Sequence, residues 1–177
     1  GYTYGEATWL GITIRPPGSN TEVVSNEWLA QHIQQGHGPL GASYPDVAYG
    51  MEGDTPSFLS LIPNGLNNPE HPDYGGWGGR YKLYTPALSQ KPAPYPVPAD
   101  WPKTEAETRP LWTNVEDSVV STIDNKGYKS IHATIWRWRQ EFQNDFAARM
   151  DWCTKKYEEA NHPPVPRLAH EEIFTVK

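Results

Sequence analysis

Residues 47–62 read VAYGMEGDTPSFLSLI, and the fold class turns on what they form. The apolar triplet Val47-Ala48-Tyr49 predicts the end of a strand. Gly50, Met51, Glu52 and Gly53 follow as a turn, and Asp54-Thr55-Pro56 open a helix predicted over Ser57 to Ile62. Asp54 has two readings. It can cap its own helix, with Pro56 in the first turn. It can also face a ligand, because open α/β sheets bind ligands beyond the carboxyl ends of their strands. Glu52 is then a second oxygen donor. A hard cation such as calcium needs several oxygens, so two carboxylates require further donors from elsewhere.

Upstream, the alternation of Leu10, Ile12 and Ile14 predicts a short strand that Arg15-Pro16-Pro17-Gly18 terminates. Ser25 is the expected N-cap of a helix whose apolar face is Trp28, Leu29 and Ile33, with Gly36 as its stop. His37-Gly38-Pro39-Leu40-Gly41 reads as a loop. It leaves the His37 imidazole accessible as a general acid, a hydroxyl ligand or a group tied to backbone carbonyls.

Downstream, residues 63–112 read as a long irregular region rich in proline, glycine and aromatics. Linkers seldom carry Trp77, Tyr81, Tyr84, Tyr95 and Trp101, so this region is expected to be an ordered functional or covering layer. In GGWGGR (75–80), glycines flank Trp77. Trp77 is either a platform for the apolar face of a sugar, with Arg80 as a hydrogen-bond fork and Tyr81 beside it, or a plug for the core. His71, between Glu70 and Asp73, is a weaker candidate of the same kind. A helix is predicted from Ile131 to Ala160 on the spacing of Ile135, Trp138, Phe142, Phe146, Met150, Cys153 and Tyr157. Trp136 falls off that stripe, Cys153 is expected as a buried filler, and Asp145 and Arg149 are placed to pair on one face. Asn161 to Pro164 stop the helix, and the alternation in Glu171–Lys177 predicts a strand.

Composition narrows the classes. The chain has 177 residues, a net charge of −6, 8 Trp, 10 Tyr, 18 Pro and 15 Gly. It holds no basic run longer than two residues, which argues against binding a nucleic-acid backbone. A single cysteine excludes an internal disulfide framework and a cysteine zinc site. No apolar run approaches the roughly 20 residues of a membrane span. Neither a phosphate-binding glycine loop nor a Gly-x-Ser-x-Gly elbow occurs.

Five strings read together as a family likeness: SNEWLAQHI (25–33), GHGPLGASYP (36–45), EGDTPSFLSLIPNGLNNPEHPDYGGWGGRY (52–81), RPLWT (109–113) and WRWRQEFQNDFAARMDWC with ANHPPV (136–153, 160–165). From about Trp9 to Val165 the chain resembles the nucleoside-hydrolase-like domain of a bacterial cellulose-binding protein family. The resemblance implies the C-terminal part of a doubly wound α/β domain over residues 1–165, with 166–177 leading towards a β-rich domain. It implies an N-terminal half supplied by another chain or segment, because the aspartate cluster of nucleoside hydrolases is not in this sequence. Asp54 in GDTP resembles the distal calcium ligand of those enzymes, with Glu52 accessory to it. Gly53 stands where their acid histidine would be, leaving His37 as a substitute. The implied activity is calcium-assisted attack of water at an anomeric carbon, with Trp77, Arg80, Tyr81 and His71 lining a sugar pocket. The alternatives are a non-catalytic cellulose- or glycan-binding module, and a structural or assembly protein that forms a homo-oligomer. An extracellular or periplasmic location is implied with each.

Overall fold

The computed structural model describes residues 7–13, 16–48, 56–85, 99–100 and 108–162. Helix α1 spans Asn26–Leu29, capped as expected: Ser25 Oγ accepts the Trp28 N–H at 3.1 Å. It continues as a wider π-helical turn over Ala30–Gln34. Gly36 then takes a left-handed conformation, φ 79°, which a side chain would strain. The stretch expected as a loop forms a second helix, α2, over Gly38–Ala42, with Pro39 in the first turn where its missing N–H costs nothing. Gly41 lets α2 close against the preceding turn: a Cβ there would lie 2.6 Å from the Ile33 carbonyl.

Several expectations are corrected. The strand expected from Leu10 to Ile14 is a 3-10 helix over Thr8–Ile12, closed by the Thr13 hydroxyl donating to the Leu10 carbonyl at 2.8 Å. It coils because Gly11 abuts the C-terminal helices, with the His132 carbonyl and Ile135 Cβ both 2.8 Å from where its own Cβ would be. Val47 and Ala48 lie in no strand. The helix expected at Ser57 is a tighter 3-10 turn over Pro56–Leu61. The single long helix is two: α3 over Ala133–Trp136 and α4 over Arg139–Trp152. Trp138, at φ −101° and ψ 9°, breaks the helical run and shifts its phase. Trp136 is therefore buried, edge-on to Tyr128 at 6.1 Å, while Trp138 is half-buried. Cys153 follows the end of α4 and is exposed, not a core filler.

The expected irregular region contains strands. Strand β1 (Tyr81–Tyr84) pairs antiparallel with β2 (Leu111–Asn114), and β3 (Asp117–Val120) with β4 (Gly127–Ser130). Among the described residues helices and strands are mixed, and every strand pair is antiparallel. The parallel strands of a doubly wound sheet are not among them, and the tail expected as a strand lies outside them.

Helix α4 is the spine. Its C-terminal half gives Met150 to a cluster with Val23, Val24, Leu29 and Ile33. Its N-terminal half gives Phe142 to a second cluster with Ile12, Leu59, Trp77 and Ile135. Two polar residues share this buried face. Gln143 Nε2 donates to the Val23 carbonyl at 2.7 Å. Arg139, 1% exposed, donates to three backbone carbonyls: Asn20 at 2.7 Å, Gly11 at 2.7 Å and Thr13 at 2.5 Å. Burial alone pushes its guanidinium down to about 10, so at neutral pH it stays charged.

Arg139→Ala is expected to lower the unfolding free energy by about 3 kcal/mol, since two buried carbonyls and one half-buried carbonyl lose charge-assisted donors. Arg139→Lys should recover only part of this, because one ammonium cannot reproduce the planar fork. Urea unfolding of the two variants checks both.

Candidate functional site

Asn67 organises the loop that carries most of the candidate residues. Its Nδ2 donates to the Leu59 and Ile62 carbonyls at 2.6 and 2.8 Å, and its Oδ1 accepts the Trp77 N–H at 2.9 Å. The loop is thereby stitched to the turn at Pro56–Leu61. The glycines beside Trp77 are there for close approach: a Cβ on Gly76 would collide with Asn67 Oδ1, and one on Gly78 with Ser60 Oγ. Gly76 and Gly79 also have φ of 140° and 98°. With backbone and side chain this close, Trp77 turns inward, 8% exposed and edge-on to Phe142 at 6.5 Å. It is the core plug of the two readings, not a platform offered to solvent.

Arg80 is also committed. Its Nε donates to Asp117 Oδ1 at 2.8 Å, and Nη2 donates to the Glu116 carbonyl at 2.9 Å and to the Asp117 carboxylate. Asp117 is further paired with Arg137 Nη1 at 3.4 Å. This clamp joins the entry of β1 to the start of β3. Tyr81 donates its hydroxyl to the Gly78 carbonyl at 3.0 Å, and burial raises its phenol above the ordinary value. It is a neutral donor holding the glycine loop.

His37 belongs to a different neighbourhood. It is 8% exposed, and its Nε2 lies 3.1 Å from Asp151 Oδ1 at the C-terminal end of α4. The expected accessible imidazole is a buried strap between α2 and α4. Asp151 is held below the ordinary carboxylate value first by the hydrogen bond from His37 and then by the one from Lys155, whose Nζ lies at 3.3 Å. Glu52 and Asp54 lie outside the described residues. Among the described residues no group of three or more His, Cys, Asp or Glu is placed to hold a metal ion.

His71 is at the surface, stacked on Tyr74 with ring centroids 4.5 Å apart and planes 6° from parallel, and with Asp73 at 3.8 Å. Tyr74 is 67% exposed. Its turn is bonded to β1 through the Tyr81 N–H and the Pro72 carbonyl, at 3.0 Å. Leu83, Tyr84, Leu111 and Trp112 on β1 and β2 are all exposed, with Leu83 opposite Trp112 and Tyr84 opposite Leu111. Tyr74 and Trp112 were not singled out in the sequence. The short alternation in YKLY and LWTN was the available signal. A separate apolar cavity of about 320 Å³ lies between α2, the Pro56–Leu61 turn and α4. Leu40, Phe58, Phe146 and Met150 line it, together with the Asp145–Arg149 pair, whose Nε–Oδ2 distance is 2.6 Å.

Residues 1–81 match the family model described as Cellulose-binding Sde182, nucleoside hydrolase-like domain. Among solved structures, the chain is similar to a nucleoside hydrolase-related hypothetical protein from Saccharophagus degradans, described as associated with carbohydrate metabolism. The identity is 32% and the TM-score 0.52, over 92% of this chain and 36% of that one. The chain thus spans little more than a third of that protein's length. No curated protein matches. The likeness to a nucleoside-hydrolase-like domain read from the five strings holds.

Because the folded state lowers the Asp151 pKa, folding favours the ionised carboxylate. Its contribution is present above the unfolded value, near 3.8, and is lost as the pH falls through the lower folded value. Wild type is expected to exceed Asp151→Ala in urea midpoint at pH 5. The gap should be small, since the carboxylate is 53% exposed, and it should close as the pH falls below about 4. A gap that widens on acidification contradicts this.

Proposed function

We propose that the chain is a carbohydrate-binding module on a nucleoside-hydrolase-like fold that works outside the cell, with cellulose or a related β-glucan as its ligand class. The observation that carries this is the exposure of Trp112, with Leu83 opposite it on the same face of the β1–β2 ribbon, beside the stacked His71–Tyr74 pair on a turn hydrogen-bonded to β1. The family description of residues 1–81 as cellulose-binding supports the ligand class. Sugars present C–H faces that lie on aromatic rings, and a polymer that reaches more than one ring at once gains through effective concentration. Trp112 with Leu83 opposite it is an exposed apolar pair of the kind found at interaction surfaces.

A second reading is a calcium-assisted glycoside hydrolase centred on Asp54 and Glu52. It is favoured by the family match, which includes both residues. In that reading the remaining oxygen donors come from the rest of a nucleoside-hydrolase-like domain, and Asp54 and Glu52 would hold the ion that activates water. The exposed ribbon also fits a third reading, a contact with that remaining part or with a second copy of the chain.

Wild type is expected to be retained on microcrystalline cellulose. Trp112→Ala and Tyr74→Ala should each reduce retention with unchanged circular dichroism. Undiminished retention of both variants overturns the assignment of this surface. Release of base from inosine that needs added calcium and disappears in Asp54→Asn would transfer the assignment to the hydrolase. An oligomer that dissociates in Trp112→Ala, with no cellulose retention by wild type, would transfer it to the assembly reading.

A further inference from the structure

Beyond α4 the chain folds back on itself. The helix closes with the Cys153 N–H on the Arg149 and Met150 carbonyls, each at 3.2 Å. A 3-10 turn over Tyr157–Glu159 follows, tied by the Lys156 N–H to Glu159 Oε2 at 3.3 Å. His162 then returns over this turn: its Nε2 lies 2.7 Å from the Tyr157 carbonyl, and its ring centroid 4.1 Å from that of Tyr157. The hairpin encloses a cleft of about 370 Å³ lined by Trp152, Lys155, Tyr157, Ala160, Asn161 and His162.

We infer that this cleft is a second sugar-binding subsite, taking one hexopyranose unit of a β-glucan chain, separate from the β1–β2 ribbon. The inference rests on the carbohydrate reading above. The lining combines what a sugar requires. Two aromatic side chains supply surface for its C–H faces, and three polar side chains surround them for its hydroxyls. Tyr157 is 76% exposed, yet it is already held by the His162 ring, so stacking on it loses little side-chain entropy. Trp152 is fixed by the Arg149 guanidinium, 5.6 Å from its ring. Among the described residues the Asn161 carboxamide makes no hydrogen bond, so it offers two donors and an acceptor to a neutral hydroxylated ligand. Lys155 has already paired with Asp151 at 3.3 Å and supplies remaining N–H donors, not a free cation. That lone, neutralised lysine fits a neutral sugar better than a phosphate. The volume lies within the range of small-molecule clefts, roughly 300–1,000 Å³.

All six lining residues fall within positions 152–162, so the subsite is one continuous segment and is testable by surface substitutions that spare both core clusters. Calorimetric titration of the full chain with cellohexaose is the experiment. Tyr157→Ala and Asn161→Ala are each expected to weaken binding about threefold to tenfold, the worth of one ring contact or one hydrogen bond. Tyr157→Phe keeps the ring and should bind as wild type does. If Trp112→Ala weakens binding while Tyr157→Ala and Asn161→Ala do not, the second subsite is overturned and the carbohydrate reading stands. If Tyr157→Phe loses as much as Tyr157→Ala, stacking in this cleft is overturned. If wild type binds no cellohexaose, both proposals fall.

Discussion

One guanidinium ties the N-terminal segment to the spine. Arg139 stands on the buried face of α4 and holds the carbonyls of Gly11, Thr13 and Asn20 at once. These carbonyls end a 3-10 turn and flank a proline-rich bend, so neither helix nor sheet partners satisfy them. An apolar side chain at 139 would take a charge-assisted donor from each of them. Burial lowers its affinity for the proton to about 10, and among the described residues the charge is met by backbone acceptors. With that segment held, Ile12 reaches the cluster of Leu59, Trp77 and Phe142, and Gly11 can approach α3.

A theme of this fold is that the residues with the most chemical promise are used to hold backbone together. Trp77, Arg80, Tyr81 and His37 each have their polar atoms or their ring engaged inside the molecule. The rings left exposed are less conspicuous ones on short ribbons and turns. The division has a physical basis. The glycines that permit a tight loop also let its tryptophan pass inward, and the cluster of Ile12, Leu59, Ile135 and Phe142 offers that indole more contact than water does.

Local features were legible in the sequence. The Ser25 cap is a bond between near neighbours, and the Gly36 stop is a single backbone conformation. The family likeness over residues 1–81 was carried by strings with little freedom to recur by chance. Long-range features were not legible. The periodicity from Ile135 to Tyr157 is real, but the break at Trp138 depends on where α3 packs, and it exchanges the environments of Trp136 and Trp138. Arg139 and Gln143 belong to the core face, yet a charged and an amide residue count against burial in any hydrophobic pattern. Strands β1 and β2 are only four residues each and lie in a region whose proline and glycine content reads as loop. For Trp77 the sequence admits either fate, and what decides it is packing against Ile12, Leu59, Ile135 and Phe142, contacts that no local pattern shows.

The β3–β4 ribbon has a consequence for behaviour at high concentration. Among the described residues each of its two strands has a hydrogen-bonded neighbour on one side only, and an edge of that kind presents amides and carbonyls to which an extended segment of another molecule can add. Val120 is 66% exposed and adds apolar surface at the end of β3. Opposing this, each strand is four residues long, and β4 carries Lys129, 70% exposed and 3.6 Å from Glu116. A short edge bearing an exposed ammonium is a poor template for cross-β growth, and Lys129 stands where a gatekeeper residue would.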